Sequence, residues 1–366
     1  MKILIVGDWR WPWYEDVCAA ALSAIGHEVT RLSGSGALLP GWSDDRYLGR
    51  PYPLLHRLQE RLLSGPLITA FNRKLEQCIT DVKPDVVWMY NCRWIYEETL
   101  ARVQKIDDGP SWVLYANDDP FSSQSWPDRW RHFRRLISRC DVCLAYRKTN
   151  LEEFRRHGAH RTDLLRSYFV PSQDYPLASN DVDPEYMGDV VFTGHFEPDG
   201  RLEALEALAS AGHRVRVFGG AWEPMRGRVL QGPLAGQWPI NVRFHRDYRQ
   251  SICGSKIALC FFSRINQDTY TRRNFQIPAM GTFMLSEYSD DLSTLFSEGV
   301  DAEFFRDHGE LADKVRFYLA NDAARDSIAR RGLERVHRDG HDVTARMRQF
   351  VTMVGSGRTH QMSVSA

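Results

Sequence analysis

The sequence lacks an excess of either charge: Lys plus Arg number 47 and Asp plus Glu 47 in 366 residues. No global field therefore draws the chain to nucleic acid. It also lacks a disulfide framework, since seven cysteines, an odd number without regular spacing, argue against a secreted scaffold and for a reducing, cytoplasmic compartment. Cys140 and Cys143 make one C-x-x-C, but Cys143 falls inside the predicted strand Val142 to Tyr146 and no second Cys/His pair stands nearby. Buried thiols are the plainer reading, and no metal site is expected. The opening stretch, Met1 to Gly7, holds a run of only five apolar residues. That is too short for a signal peptide or a membrane span. The loop after it reads GDWRWPWYED and has no glycine spacing of the dinucleotide kind. NAD and FAD are disfavoured on that ground.

What the chain has is length for two domains, and the 43 % apolar and 26 % charged composition of a soluble protein. KILIVG (Lys2 to Gly7), a helical stretch from Asp16 to Gly26 and EVTRL (Glu28 to Leu32) predict the opening unit of a Rossmann-like domain. Asp8, Trp9, Trp11 and Trp13 fall at the ligand-facing strand end, where they line an acceptor site or fill a packing gap. Pro51 to Thr80 is predicted helical, with Leu54, Leu55, Leu58, Leu62 and Leu63 at helical spacing. Such a stripe is more often core than a face for a membrane or a lipid-linked acceptor. Strands are predicted at Val86 to Asn91 and Trp112 to Asn117, the latter running into Asn117-Asp118-Asp119-Pro120. Asp118 and Asp119 are candidates for a general base or for orienting an acceptor; a capped turn before proline is the competing reading. Trp126 to Arg139 reads as a basic helix, by default a solvated face, with an anionic membrane surface as the sharper alternative. Val142 to Tyr146, a helix from Thr149 to His157 and an extended Leu164 to Val170 complete a domain over 1–170, and 171–188 reads as a linker.

The second domain, 189–340, alternates strands and helices, with strands predicted at Asp189 to Thr193, Val215 to Phe218, Val242 to His245, Ile257 to Phe262, Thr282 to Ser286 and Ala302 to Phe305. Alternation of this kind makes a doubly wound parallel sheet. Its organising stretch is SKIALCFFSRINQDTYTRRNFQIPAMGTFMLSE (Ser255 to Glu287): a buried strand, a polar loop, a short helix from about Thr271 and a second buried strand. The loop and helix start lie at the carboxyl edge of the sheet, where open α/β sheets bind ligands. Two arginines there, Arg272 and Arg273, suit a pyrophosphate, and Asp268 and Gln276 suit sugar hydroxyls; solvated arginines paired with Asp268 are the bland alternative. Gly219 and Gly220 let a base or phosphate approach the backbone. A helix over 341–354 follows, and 355–366 reads as a disordered tail.

The string N-x-D-x-Y-T-x-R-x-F-x-I-P-A-x-G-x-F-M-L-S-E (Asn266 to Glu287) resembles the carboxyl-terminal signature of the CgeB-like, spore-maturation-type glycosyltransferases, within the group 1 enzymes of GT-B fold. GHFEPDGRLEAL with GHRVRVFGGAW (Gly194 to Trp222) and the helical tail from Glu310 to Arg348 agree with it. The resemblance implies α/β architecture of the GT-B type, two Rossmann-like doubly wound parallel-sheet domains facing a central cleft, with helix 341–354 crossing back to the first domain. It implies sugar transfer from a UDP-, GDP- or dTDP-linked donor, independent of metal or other cofactor and retaining, to an acceptor glycan, lipid-linked glycan or protein, with at most peripheral membrane contact. A nucleotide-sugar epimerase and a non-catalytic nucleotide-sugar binder are the alternatives. By the same resemblance Arg201 and Arg273 approach the pyrophosphate, with Arg272 or Lys256 standing in for a family lysine that has no counterpart here. Gly194, His195, Gly219, Tyr248 and Thr271 complete the donor set. The family's paired acidic positions fall on Asp268 and Gln276, and the amide at 276 carries no charge. Asp268 would orient the sugar, and Asp118 or Asp119 the acceptor hydroxyl.

Overall fold

A computed structural model describes residues 1–34, 54–104, 109–123 and 127–364. The chain forms two units, Met1–Arg166 with Val343–Ala366, and Ser167–Asp342.

In the first unit six strands, β1 (Lys2–Gly7), β2 (Glu28–Ser33), β3 (Val86–Tyr90), β4 (Ser111–Ala116), β5 (Val142–Ala145) and β6 (Thr162–Leu164), pair in parallel in the order β2-β1-β3-β4-β5-β6. Ile3 to Val6 and Val86 to Tyr90 are buried throughout, because a parallel sheet is covered on both faces by its crossover helices. Those helices are α1 (Glu15–Ala24), α2 (Leu54–Leu62), α3 (Pro66–Val82), α4 (Glu97–Val103), α5 (Arg131–Leu136) and α6 (Lys148–Arg156). Pro66 suits the first helical position of α3, where its missing N–H costs nothing, and Lys83 ends the helix in a left-handed conformation.

The leucine stripe departs from its expected place. Leu54, Leu55, Leu58 and Leu62 are 79, 63, 51 and 51 % exposed, whereas Gln59 and Leu63 are buried. The seam turns inward at Gln59 because its Oε1 accepts from Leu67 N (2.8 Å), and at Leu63 because its carbonyl meets the His132 ring. Residues 51–53 of that predicted helix lie outside the described residues. The predicted helix from Trp126 is, from 127 onward, a 3-10 turn, the short α5 and a second 3-10 turn ending at Arg139; Trp126 also lies outside the described residues.

The second unit carries β7 (Gly188–Thr193), β8 (Val215–Phe218), β9 (Ser255–Cys260), β10 (Phe283–Glu287) and β11 (Glu303–Phe305), all parallel, in the order β11-β10-β9-β7-β8. Its helices are α7 (Arg201–Ser210), α8 (Arg226–Gln231), α9 (His245–Cys253), α10 (Arg273–Ala279), α11 (Asp290–Ser293), α12 (His308–Ala320) and α13 (Asp322–Arg338). The strand expected at Val242 to His245 does not form. Asn241 and Val242 are exposed, and the stretch beside β8 gives one backbone bond, Gly219 N to Asn241 O (3.0 Å), too little burial and pairing to make a ladder. The stretch 171–188, read as a linker, belongs to this unit and is anchored by buried Asp174, Val182 and Tyr186.

The last helix, α14 (Val343–Val364), belongs to the first unit. It packs on α1, and Phe350 stacks on Trp88 of β3 with ring centroids 4.3 Å apart. The tail expected to be disordered from 355 continues this helix to Val364; 365–366 lie outside the described residues.

Candidate functional site

In an open parallel sheet the crevice for a ligand opens where consecutive crossovers leave in opposite directions. In the second unit that point falls between β7 and β9. The loop after β7 presses on the loop after β8: Gly194 N donates to Phe218 O (2.8 Å), Phe196 N to Gly220 O (3.0 Å), and Trp222 Nε1 to Gly194 O (3.1 Å). A Cβ on Gly219, whose φ is +148°, would lie 1.8 Å from Gly194 O. Only glycine permits that approach of two backbones. His195 is exposed at this rim, its ring beside Gly220.

Arg201 has a different place from the one expected of it. Its side chain is 3 % exposed and is gripped by Asp199, through Nε to Oδ1 (2.8 Å) and Nη2 to Oδ2 (2.5 Å). The same guanidinium donates to His195 O (2.6 Å) and Phe262 O (3.2 Å). Buried and bidentate, it ties the β7 loop to the end of β9 and offers no exposed arm to a pyrophosphate. Glu197 adds a second tie by accepting from Arg264 N (2.9 Å). The acidic residues Glu197 and Asp199, unremarked in the sequence, were legible as E-x-D-x-R at a helix start.

Beyond β9, Phe262 N donates to Glu287 Oε2 (2.9 Å) and Asp268 N to Ser263 O (2.9 Å), and the Asp268 side chain is half-buried on the loop. Asn274 fixes the turn into α10, with Oδ1 accepting from Thr271 N (2.7 Å) and Nδ2 donating to Ser286 Oγ (2.9 Å). Thr271 and Arg272 therefore precede the helix, which begins at Arg273, two residues later than predicted. Arg273 is half-buried and bears electrostatically on Tyr248 and on Cys260 at the end of β9. Burial pushes the Cys260 thiol up to about 11 and the Tyr248 phenol well above its usual range, with Arg273 opposing both.

Gln276 is engaged within the unit. Tyr248 Oη donates to its Oε1 (3.2 Å), and its Nε2 donates to Asp174 Oδ1 (3.0 Å), while Val170 N donates to Asp174 Oδ2 (2.8 Å). Burial raises the Asp174 carboxyl, with Arg272 as the main opposing influence. Arg272 also lies over the Tyr168 ring at 4.9 Å. Asp174 is thus the carboxylate of this corner, in a stretch that reads as linker and gives no sequence signal. Among the described residues no three His, Cys, Asp or Glu side chains gather as a metal cage, and no helix is long and apolar enough to cross a membrane.

In the first unit the equivalent point falls between β1 and β3. Glu15 is fully buried there, its Oε1 accepting from Asp8 N (3.1 Å) and Trp9 N (3.3 Å). Burial, reinforced by Asp8 and Asp16, pushes its carboxyl up to about 8. Trp9 is buried with φ +58°, while Trp11 and Trp13 are half-buried with centroids 5.2 Å apart. Asn91, also left-handed at φ +53°, follows β3 and points its amide at Asp118 Oδ2 (3.5 Å). Asp118 is half-buried at the end of β4. Asp119 is 2 % exposed and accepts from Phe121 N (3.0 Å) and Asn150 Nδ2 (3.0 Å), which makes it the holder of a turn and not a group open to substrate. Glu15 and Asn91 are the rim residues missed from sequence; both lie beside strand ends that were correctly placed.

These two sheets are those of the GT-B glycosyltransferase fold. The chain superposes on the sucrose-phosphate synthase of Thermosynechococcus elongatus with a TM-score of 0.70 at 13 % identity, covering 100 % of both chains. It superposes on Anabaena HepE in complex with UDP and glucose at 0.68 (14 % identity, 97 % of this chain and 100 % of that one), and on a glycosyltransferase from Rickettsia africae at 0.67 (12 %, 97 % and 98 %). Residues 201–352 match the family model described as Glycosyl transferase-like. No curated protein matches the sequence.

Proposed function

We propose that this protein transfers a sugar from a nucleoside-diphosphate donor, held by the second unit, to an acceptor hydroxyl held by the first. The observation that carries the reading is the β7/β9 rim. There the glycine-only approach of Gly194 and Gly219 brings the loops after β7 and β8 together at the carboxyl edge of the sheet, and Arg272 and Arg273 follow directly on the β9 loop. Charge gathers on the leaving diphosphate in the transition state, so positive groups fixed beforehand at that position are the principal electrostatic aid. Arg272 and Arg273 supply it in this proposal, and no metal is required. Arg201 is a positioning residue that holds the loop carrying His195. Asp268 orients the sugar ring, and Asp118, steadied by Asn91, orients the acceptor hydroxyl. HepE, solved with UDP and glucose, and the match of residues 201–352 support the donor class. The signature Asn266 to Glu287 supports a place among the CgeB-like enzymes and, with group 1, retention of configuration.

The test is titration of UDP-, GDP- and dTDP-sugars into the wild type and Arg273→Ala, followed by product analysis with and without acceptors. Loss of one charge-assisted contact of about 1.5–3 kcal/mol weakens donor binding roughly 10- to 150-fold. Unchanged affinity in Arg273→Ala overturns the phosphate assignment. An epimerised donor without acceptor, or binding without turnover over a broad acceptor panel, overturns transfer.

A further inference from the structure

Of the ten large hydrophobic side chains that stand exposed among the described residues, Leu54, Leu55, Leu58 and Leu62 share one short helix, α2. On a helical wheel Leu54, Leu58 and Leu62 follow one another at four-residue steps, with Leu55 at their flank. Arg57 and Arg61, both exposed, border the stripe on its other side. The helix is not loosely attached. Arg131 donates to Leu62 O, His132 meets Leu63 O (2.9 Å), and Gln59 locks the following turn.

Those contacts bring α2 against α5 and its flanking turns, and residues 127–139 carry five arginines against one acidic residue, Asp128. Exposed Arg129 and Arg135 belong to this set. The balance of the whole chain conceals a division. The first unit has 27 Lys and Arg against 21 Asp and Glu, and the second 20 against 26, so the units carry +6 and −6.

We infer that the α2 face of the first unit docks on an anionic lipid surface, the leucines entering the boundary between headgroups and acyl chains and the arginines pairing with lipid phosphates. A fixed helix with an apolar stripe bordered by cations, too short and too polar to span, is what interfacial binding requires. Charge complementarity selects the anionic bilayer, because basic groups near such a surface each add to the attraction. Pairing with a second copy fits less well. A nine-residue helix, about 14 Å long and about 10–12 Å across, offers a face of roughly 150 Å², far short of the roughly 800 Å² that each partner gives to a stable dimer, and self-pairing would set like charges face to face.

The experiment is co-sedimentation of the full chain with vesicles of phosphatidylcholine alone and with about 30 % phosphatidylglycerol, at low and high salt. The expected result is binding to the anionic vesicles at least roughly tenfold above the neutral ones, falling with salt. Leu58→Asp with Leu62→Asp abolishes it, and Arg57→Gln with Arg61→Gln weakens it severalfold. Thermal melting and donor affinity of these variants match the wild type, which separates failure here from failure of the transferase reading. No preference for anionic vesicles, or binding unaltered by the leucine changes, overturns the proposal. So does a concentration-dependent dimer that the same leucine changes dissolve.

Discussion

The proton on Glu15 gives a prediction with a definite sign. The carboxyl titrates at about 8 in the fold and at the usual 4.5 when exposed, because burial removes the water that would solvate its charge. Between these values the unfolded chain releases a proton that the fold retains, so unfolding is favoured as pH rises. The stabilisation is fully present below about 4.5 and lost as pH passes through about 8. A gap of that size corresponds to about 5 kcal/mol at 1.36 kcal/mol per pH unit, and water entering the opened loop lowers the expected loss to roughly 2–4 kcal/mol. Glu15→Gln keeps an oxygen for the N–H groups of Asp8 and Trp9 but does not titrate. Urea unfolding of both proteins from pH 5 to 9 isolates the effect: the wild type loses stability relative to Glu15→Gln as pH rises. Parallel curves would refute the assignment of a retained proton to this side chain.

Two further changes test the second unit. Gly219→Ala places a Cβ 1.8 Å from Gly194 O, so the two loops must part by more than about 1 Å; we expect a loss of roughly 2–4 kcal/mol in urea unfolding and weaker donor binding. Gln276→Glu sets a second carboxyl where an amide now donates to Asp174 at 3.0 Å. The two acids then share one proton, which burial and the like charge hold more tightly in the fold than in the unfolded chain, and the variant is destabilised by roughly 2–4 kcal/mol at pH 8 and much less at pH 5, as pH-dependent melting will show.

Most of the fold was legible because buried parallel strands advertise themselves as short unbroken apolar runs. KILIVG became β1 at its predicted bounds, and Val215 to Phe218 became β8. Val242 to His245 has a similar composition but misled, since a strand also needs a partner edge and a covered face. The leucine stripe of α2 has the period of a core helix. Its exposure follows from one amide, Gln59, turned inward to cap the next helix, and periodicity carries no record of that bond. The site divided in the same way. Residues near strand ends, such as Gly194, Gly219, Arg273 and Asp118, lie at the expected sheet rims because topology fixes where strand ends go. Their partners were not. Asp174 stands 102 residues from Gln276, and the occupied state of Arg201 depends on Asp199 taking both of its forks.

The chain leaves the first unit at Arg166 and re-enters it at Val343. Residues 167–342 are therefore a single cassette spliced into a host whose own core needs both flanks, as Phe350 on Trp88 makes plain. Excising the cassette calls for two cuts and a joining of Arg166 to Val343, and leaves all six strands of the first sheet in the chain. A single truncation before Val343 instead strips the host of α14 and uncovers Trp88 while sparing the second unit. Exchange of the second unit between relatives, in the laboratory or over descent, has natural seams at those two junctions.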